Sequence, residues 1–159
     1  MVILGIDPGT ASMGYGIIEI GKKDISLADQ GVIKTKPDMD MPKRLGVLYA
    51  SLNDVIRRHQ IDLMVIESLF FNTNAKTAIS VGQARGVCML VAAHNNIDVT
   101  EYTALQAKRV LTGYGRADKV DMQNAVKRTL GLSQVIKPDD ANDGVAMALC
   151  YYLLGYKKK

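Results

Sequence analysis

The sequence predicts an α/β domain: a mixed five-stranded sheet with helices on both faces. Three observations point there. Three strand-like runs follow one another near the N-terminus with only short turns between them, which calls for antiparallel pairing. Two later strand-like runs, Leu63 to Ile66 and Ile97 to Tyr102, each follow a segment long enough for a crossover helix. Beyond them the pattern is helical, and helices packed on a sheet bury the apolar surface its strands would otherwise expose.

The elements follow in order. Val2 to Ile6 is a continuous apolar run suited to a strand buried on both faces, and Asp7-Pro8-Gly9 ends it in a turn. Tyr15 to Ile20 and Ile25 to Thr35 are the next strands, joined by a hairpin turn at Gly21-Lys22-Lys23-Asp24. From Pro42, which suits a first helical turn, Leu45, Leu48, Leu52, Val55 and Ile56 form one apolar stripe. The strand from Leu63 ends at Glu67. Helices are expected from about Ala75 to Ala93 and over 103–112, 117–131 and 139–155. No Pro/Gly/Ser-rich linker or internal repeat divides the chain, so 1–155 reads as one domain and 156–159 as a basic tail.

At 159 residues, folding buries roughly 70% of the surface the unfolded chain exposes, enough for one core without staples. Hydrophobic residues at 48% and charged residues at 23% exclude a disordered chain. The start MVILGIDPG lacks a basic leader and breaks its apolar run at Asp7, so it reads as a strand and not a signal peptide. No run reaches the ~20 apolar residues that cross a bilayer. A cytoplasmic protein without a membrane partner is expected. Cys88 and Cys150 lie in apolar helical patterns without a CxxC partner, so buried free thiols are expected. His59 and His94 stand apart from any motif and read as packing or solvent-facing residues. Charge is localised: Lys108, Arg109, Arg116, Lys119, Lys127 and Arg128 face only Asp118 and Asp121 in their segment, an excess equal to the whole net charge of +4. Such a patch suits a phosphate backbone, although a pair of solvated helix faces has the same composition.

Two carboxylates stand out. Asp7 and Glu67 are each the first charged residue after a buried apolar strand, so neighbouring strands would project both at one sheet edge. Crowded, desolvated carboxylates are costly unless paired or bound to a cation. No lysine or arginine flanks either in sequence, which favours a metal, although a distant basic residue could pair with them. Asp140 and Asp143 stand three apart at a helix start and share a face. Pro138-Asp139-Asp140 also describes a plain helix N-terminus, where acids complement the macrodipole. Asp143 lies deeper than that explanation reaches. Together these acids make an oxygen-rich set for Mg2+ or Mn2+, and the absence of His and Cys from these segments disfavours zinc. Two such ions activate a water and stabilise the leaving oxygen in phosphoryl displacement.

The strand and turn GIDPGTASMGYG, the segment IESLFFNTN, the helix start TAISVGQARG and the helix DDANDGVAMAL resemble, in the same order from Met1 to about Leu153, the RuvC Holliday-junction resolvases of the RNase H-like nuclease superfamily. The resemblance implies an RNase H-like fold and a crossover junction endodeoxyribonuclease that resolves four-way DNA junctions during recombination and repair. It implies that Asp7, Glu67, Asp140 and Asp143 are metal-binding catalytic acids, holding Mg2+ (with Mn2+ as substitute) as two ions per subunit. It implies a homodimer that nicks two opposed strands symmetrically, and the RuvA and RuvB branch-migration complex as partner. Phe70 matches the family's aromatic that stacks on bases near the junction centre, whereas Phe71 is left to packing. Lys108 and Lys119 match basic positions near the scissile strand, which adds Lys119 to the catalytic set. Arg109 and Arg116 share their segment and are expected to add DNA contacts. The helix from Ala75 carries Ala78, Gly82 and Gly86 four apart, which permits close approach by its own sheet or by a second subunit. Which of Asp139 and Asp140 faces the metal stays open.

Other readings fit less well. Asp-x-Gly-Thr also resembles the first phosphate loop of actin and sugar-kinase ATPases, but those need a second similar domain for which this chain has no room. No GK[ST] follows Gly9 or Gly14, and no GxGxxG follows the strand. A junction-binding protein without activity would not need the intact acid set. An RNase H-like nuclease with another substrate is the nearest rival, against which Phe70 and the basic segment favour branched DNA.

Overall fold

The computed structural model describes residues 1–22, 24–68 and 75–156. Its elements are β1 Val2–Asp7, β2 Ser12–Ile20, β3 Ile25–Lys34, α1 Met41–Arg58, β4 Leu63–Ser68, α2 Ala75–His94, β5 Asp98–Thr103, α3 Ala104–Thr112, α4 Lys119–Leu130 and α5 Asp139–Tyr151, followed by a π-helical turn Tyr152–Tyr156. The five-stranded sheet has the order β3-β2-β1-β4-β5. β2 pairs antiparallel with β1 and β3, while β4 pairs parallel with β1 and β5. The mixed sheet read from the sequence is therefore the one that forms. Among the described residues no helix is long and apolar enough to cross a membrane.

Some boundaries differ from the sequence pattern, for local reasons. β2 begins at Ser12, ahead of Tyr15, because Gly14 pairs with Asp7 and extends the ladder without a side chain to mark the alternation. β4 runs two residues past Ile66, since Glu67 and Ser68 pair with Tyr102 and Thr103 of β5. Glu67 is thus inside a strand and not beyond its end. α4 starts at Lys119 because Asp118 and Asp121 cap it reciprocally.

Period-two alternation sorts the strand side chains onto two faces. Leu4, Ile6, Met64 and Ile66 join Leu48, Leu52, Val55 and Ile56 of α1 and Ala84, Cys88 and Val91 of α2. Ile3, Leu63 and Val65 join Ala107 of α3, Met122 and Val126 of α4, and Val145, Ala148 and Leu149 of α5. Each buried Leu, Ile or Val contributes about 1.5–3 kcal/mol. Both thiols are free and buried, as expected.

Asp7 and Glu67 have the parity of Ile3 and Val65, so they belong to the face that α5 covers. α5 lies against that face with almost no spacer. A Cβ on Gly5 would fall 2.2 Å from the Gly144 carbonyl oxygen, and one on Gly144 would fall 2.6 Å from the Tyr15 Cα. This glycine-to-glycine approach seats the first turns of α5 beside the C-terminal ends of β1 and β4.

Candidate active site

β1 and β4 run parallel with Ile6 opposite Ile66, so the next residues, Asp7 and Glu67, emerge side by side. Their carboxyl groups lie within hydrogen-bonding reach of each other. Burial, then the Glu67 charge, raises the Asp7 pKa from 3.8 to about 7. Burial also raises Glu67, while the hydrogen bond with Asp7 and the Arg85 and Lys108 charges oppose the rise. Asp143 is pushed up to about 6 by burial and by the Asp7 charge, with Lys119 opposing. Asp140 adds to the repulsion on Asp7 and Asp143. Two strand ends and one helix therefore bring four acids together.

The surroundings fix these groups. The Ser12 hydroxyl donates to Asp140 Oδ2 in a short contact. The turn after Asp7 is tied down by Thr10 Oγ1 to Ser80 Oγ at 2.6 Å and by Thr35 Oγ1 donating to the Thr10 carbonyl at 2.7 Å. Arg85, only 11% exposed, donates from Nη1 to the Glu67 carbonyl and from Nη2 to Glu101 Oε1 at 2.7 Å. Arg85, one of two basic residues near Glu67, is thus committed to the Glu67 backbone and to Glu101. Among the described residues no group of three Asp, Glu, His or Cys side chains has the geometry of a finished metal cage. The arrangement is a set of crowded acids whose mutual repulsion a cation would relieve.

Two hollows meet at Glu67. One, of about 250 Å³, is lined by Glu67, Lys108, Asp118, Lys119, Met122 and Asp143 among others. The other, of about 500 Å³, is lined by Asp7, Pro8, Glu67, Ser68, Val81 and Leu105 among others. Lys108 reaches this rim from α3, whose start is set by the Thr103–Gln106 capping box. Lys119, the first residue of α4, lines it as well.

The remaining sequence candidates separate. Asp139 is taken up by cations: its Oδ2 lies 3.1 Å from Lys119 Nζ, and its Oδ1 lies 3.0 Å from Lys137 Nζ and accepts from Gln123 Nε2 at 2.7 Å. The Lys137 and Lys119 contacts hold its carboxyl below the usual range. Asp140 and not Asp139 thus belongs to the acid group. Arg109 lies on α3 and Arg116 between α3 and α4. Lys127 and Arg128 lie in the last turn of α4, at the opposite end from Lys119, so the basic segment is not a single patch. Phe70 and Phe71 lie outside the described residues, as does the 157–159 tail. His59 pairs with Asp29 at 3.0 Å and His94 with the Tyr49 hydroxyl at 2.8 Å, away from the acids. Sequence reasoning missed Ser12, Arg85 and Gln123. Ser12 and Arg85 carried a signal, inside the GIDPGTASMGYG and TAISVGQARG motifs, whereas Gln123 becomes visible only through a contact distant in sequence.

The family model described as "Crossover junction endodeoxyribonuclease RuvC" matches residues 3–151. The chain belongs to the RuvC family. RuvC of Desulforamulus reducens is 48% identical over 151 residues, covering 95% of this chain and 93% of that protein. RuvC of Clostridioides difficile is likewise 48% identical over 151 residues, with 95% and 89% covered. Thermus thermophilus RuvC in complex with Holliday junction substrate superposes with a TM-score of 0.92 at 30% identity, covering 99% of this chain and 96% of that one. The RuvC fold, with its RNase H-like sheet, is therefore shared over 99% of this chain, and the family and fold expected from the motifs hold.

Proposed function

We propose that this RuvC-family endodeoxyribonuclease resolves four-way DNA junctions by metal-dependent hydrolysis at Asp7, Glu67, Asp140 and Asp143, with residues 1–155 acting as one nuclease domain. The observation that carries the site assignment is the convergence of these four acids on one sheet edge, with carboxyl groups raised to about 7 at Asp7 and about 6 at Asp143 by burial and mutual repulsion. A purely structural role would leave such groups paired with cations, as Asp139 is.

The donor set fits a hard divalent cation, since it consists of carboxylate oxygens crowded enough to gain from one. Mg2+ is the expected ion, Mn2+ its substitute, and two per subunit the expected number; when bound they supply charge neutralisation and water activation at the phosphate. The chain's own residues do the rest. Lys108 and Lys119 flank the hollow beside Glu67 and Asp143, where their ammonium groups bind the scissile phosphate and oppose the negative charge that develops on it. Arg109 and Arg116 contact the backbone further out. Phe70 stacks against an unpaired base at the junction.

Symmetric cleavage calls for two sites. Support for a homodimer comes from α2, which exposes Ile79, Met89 and Leu90, while Gly82 and Gly86 face open space where an added Cβ would meet no atom within 4 Å. A second α2 covers such a surface. A cytoplasmic location and cooperation with the RuvA and RuvB branch-migration complex accompany this reading.

The test is a labelled four-way junction and a matching duplex, each incubated with Mg2+ or chelator, beside an Asp7→Asn variant. Paired nicks confined to the junction, to metal and to the wild type are expected. Metal-independent nicking, or an active Asp7→Asn, refutes the assignment.

A further inference from the structure

Lys119 is a long, flexible side chain at the first position of α4, and 68% of it is exposed. Left to itself it samples many rotamers, and reaching a phosphate from all of them carries an entropy cost. It is not left to itself. Its ammonium lies 3.1 Å from Asp139 Oδ2, and that carboxylate is braced through its other oxygen by Gln123 Nε2 at 2.7 Å and Lys137 Nζ at 3.0 Å. Gln123 is itself buried, one turn along α4 from Lys119, so its amide is held in place by the core. Asp139 opens α5, immediately before Asp140.

From this geometry we infer that Asp139 is a positioning residue that anchors the Lys119 ammonium at the rim of the acid cluster. It takes no part in holding the metal. The inference rests on the reading of Lys119 as acting on the scissile phosphate. Three features converge on anchoring over a chance surface contact. Both oxygens of Asp139 are engaged, one by the buried Gln123. The carboxylate belongs to the start of the same helix as Asp140 and Asp143, so the lysine is referenced to two of the acids proposed to hold the metal. Lys119 also lines the same hollow as Glu67 and Asp143, so its anchored position lies where substrate must pass. A plain tie between the starts of α4 and α5 would need none of the last.

The experiment is a double-mutant cycle on the full chain with Mg2+: wild type, Asp139→Asn, Lys119→Ala and the double variant, compared by single-turnover cleavage of a labelled junction. Junction Kd in chelator and melting temperature are read in parallel. Asparagine is close to isosteric and still accepts from Gln123, and Asp139→Ala stands in should the amide disturb the turn. Expected is a loss of about fivefold in cleavage rate for Asp139→Asn, the upper end for a partly exposed pair, with Kd unchanged. Lys119→Ala loses more, and the double variant is no slower than Lys119→Ala, because without the lysine there is nothing to anchor. If Lys119→Ala cleaves at the wild-type rate, the underlying role of the lysine falls and the anchor with it. If Lys119→Ala is slow but Asp139→Asn matches or exceeds the wild type, or if the two losses multiply, the anchor alone is overturned.

Discussion

A methyl group at position 14 has no room. A Cβ built on Gly14 lies 1.8 Å from the Asp140 carbonyl oxygen and 2.4 Å from its carbonyl carbon. Since real Cβ contacts essentially never fall under 3.0 Å, Gly14→Ala must part β2 from the first turn of α5 by the difference between 3.0 and 1.8 Å, about 1.2 Å. The clash is with backbone, so no rotamer relieves it. Overpacking of this kind costs about 1–3 kcal/mol, and in a chain this size each kcal/mol lowers the melting temperature by about 2–4 °C. The effect on chemistry is larger, because the turn that moves carries Asp140 and its shift takes that acid away from Asp7. A displacement of about 1 Å in a catalytic group can cost about 100-fold. The assay is single-turnover junction cleavage well below the melting temperature of both proteins, with thermal unfolding alongside. Gly46→Ala in α1 is the control: nothing lies within 4 Å of its Cβ, so it should gain about 0.5–1 kcal/mol from reduced chain entropy and helix propensity and cleave normally. A Gly14→Ala protein that melts and cleaves like the wild type refutes the account of how α5 delivers its acids.

Other outcomes follow from the same geometry. Asp7 has its folded pKa raised above the ordinary 3.8 to about 7, so the folded state binds the extra proton, and the stability this lends is lost as pH rises through about 7. In chelator above that pH, Asp7→Asn should therefore melt higher than the wild type, and Mg2+ should reverse the order by binding only the wild type tightly; a lower-melting variant in chelator contradicts the crowding argument. Arg85→Met leaves the Glu67 carbonyl without its donor and should cost about 1–3 kcal/mol by urea unfolding, with slower cleavage as the end of β4 loosens; unchanged stability and rate would remove Arg85 from the site. Junction binding by Asp7→Asn in chelator should weaken with salt, and Lys108→Ala should lower the slope of log K against log salt by about one. An unaltered slope would detach Lys108 from the phosphate.

How far the sequence reached can be judged residue by residue. Apolar runs ending at Asp7 and Glu67 disclosed both the strands and the two acids, because strand burial and side-chain alternation are local properties written in neighbouring residues. The helical stripe of α1 was local as well, and the motifs sufficed for the RuvC resemblance. Asp139 and Asp140 are the contrary case. Adjacent acids at a helix start have the same local chemistry, and helical phase does not separate them. Only the packed structure does, by seating Asp140 against Ser12 and near Asp7 of β1 while turning Asp139 toward Lys119, Lys137 and Gln123. The basic segment likewise looked like one patch in sequence, yet α4 carries its cations at opposite ends. What the chain alone determined was which residues are charged, apolar or small and which elements they form. Which charges meet was decided by the close approach of Gly5, Gly14 and Gly144, since electrostatic contact depends on distances that only tertiary packing sets.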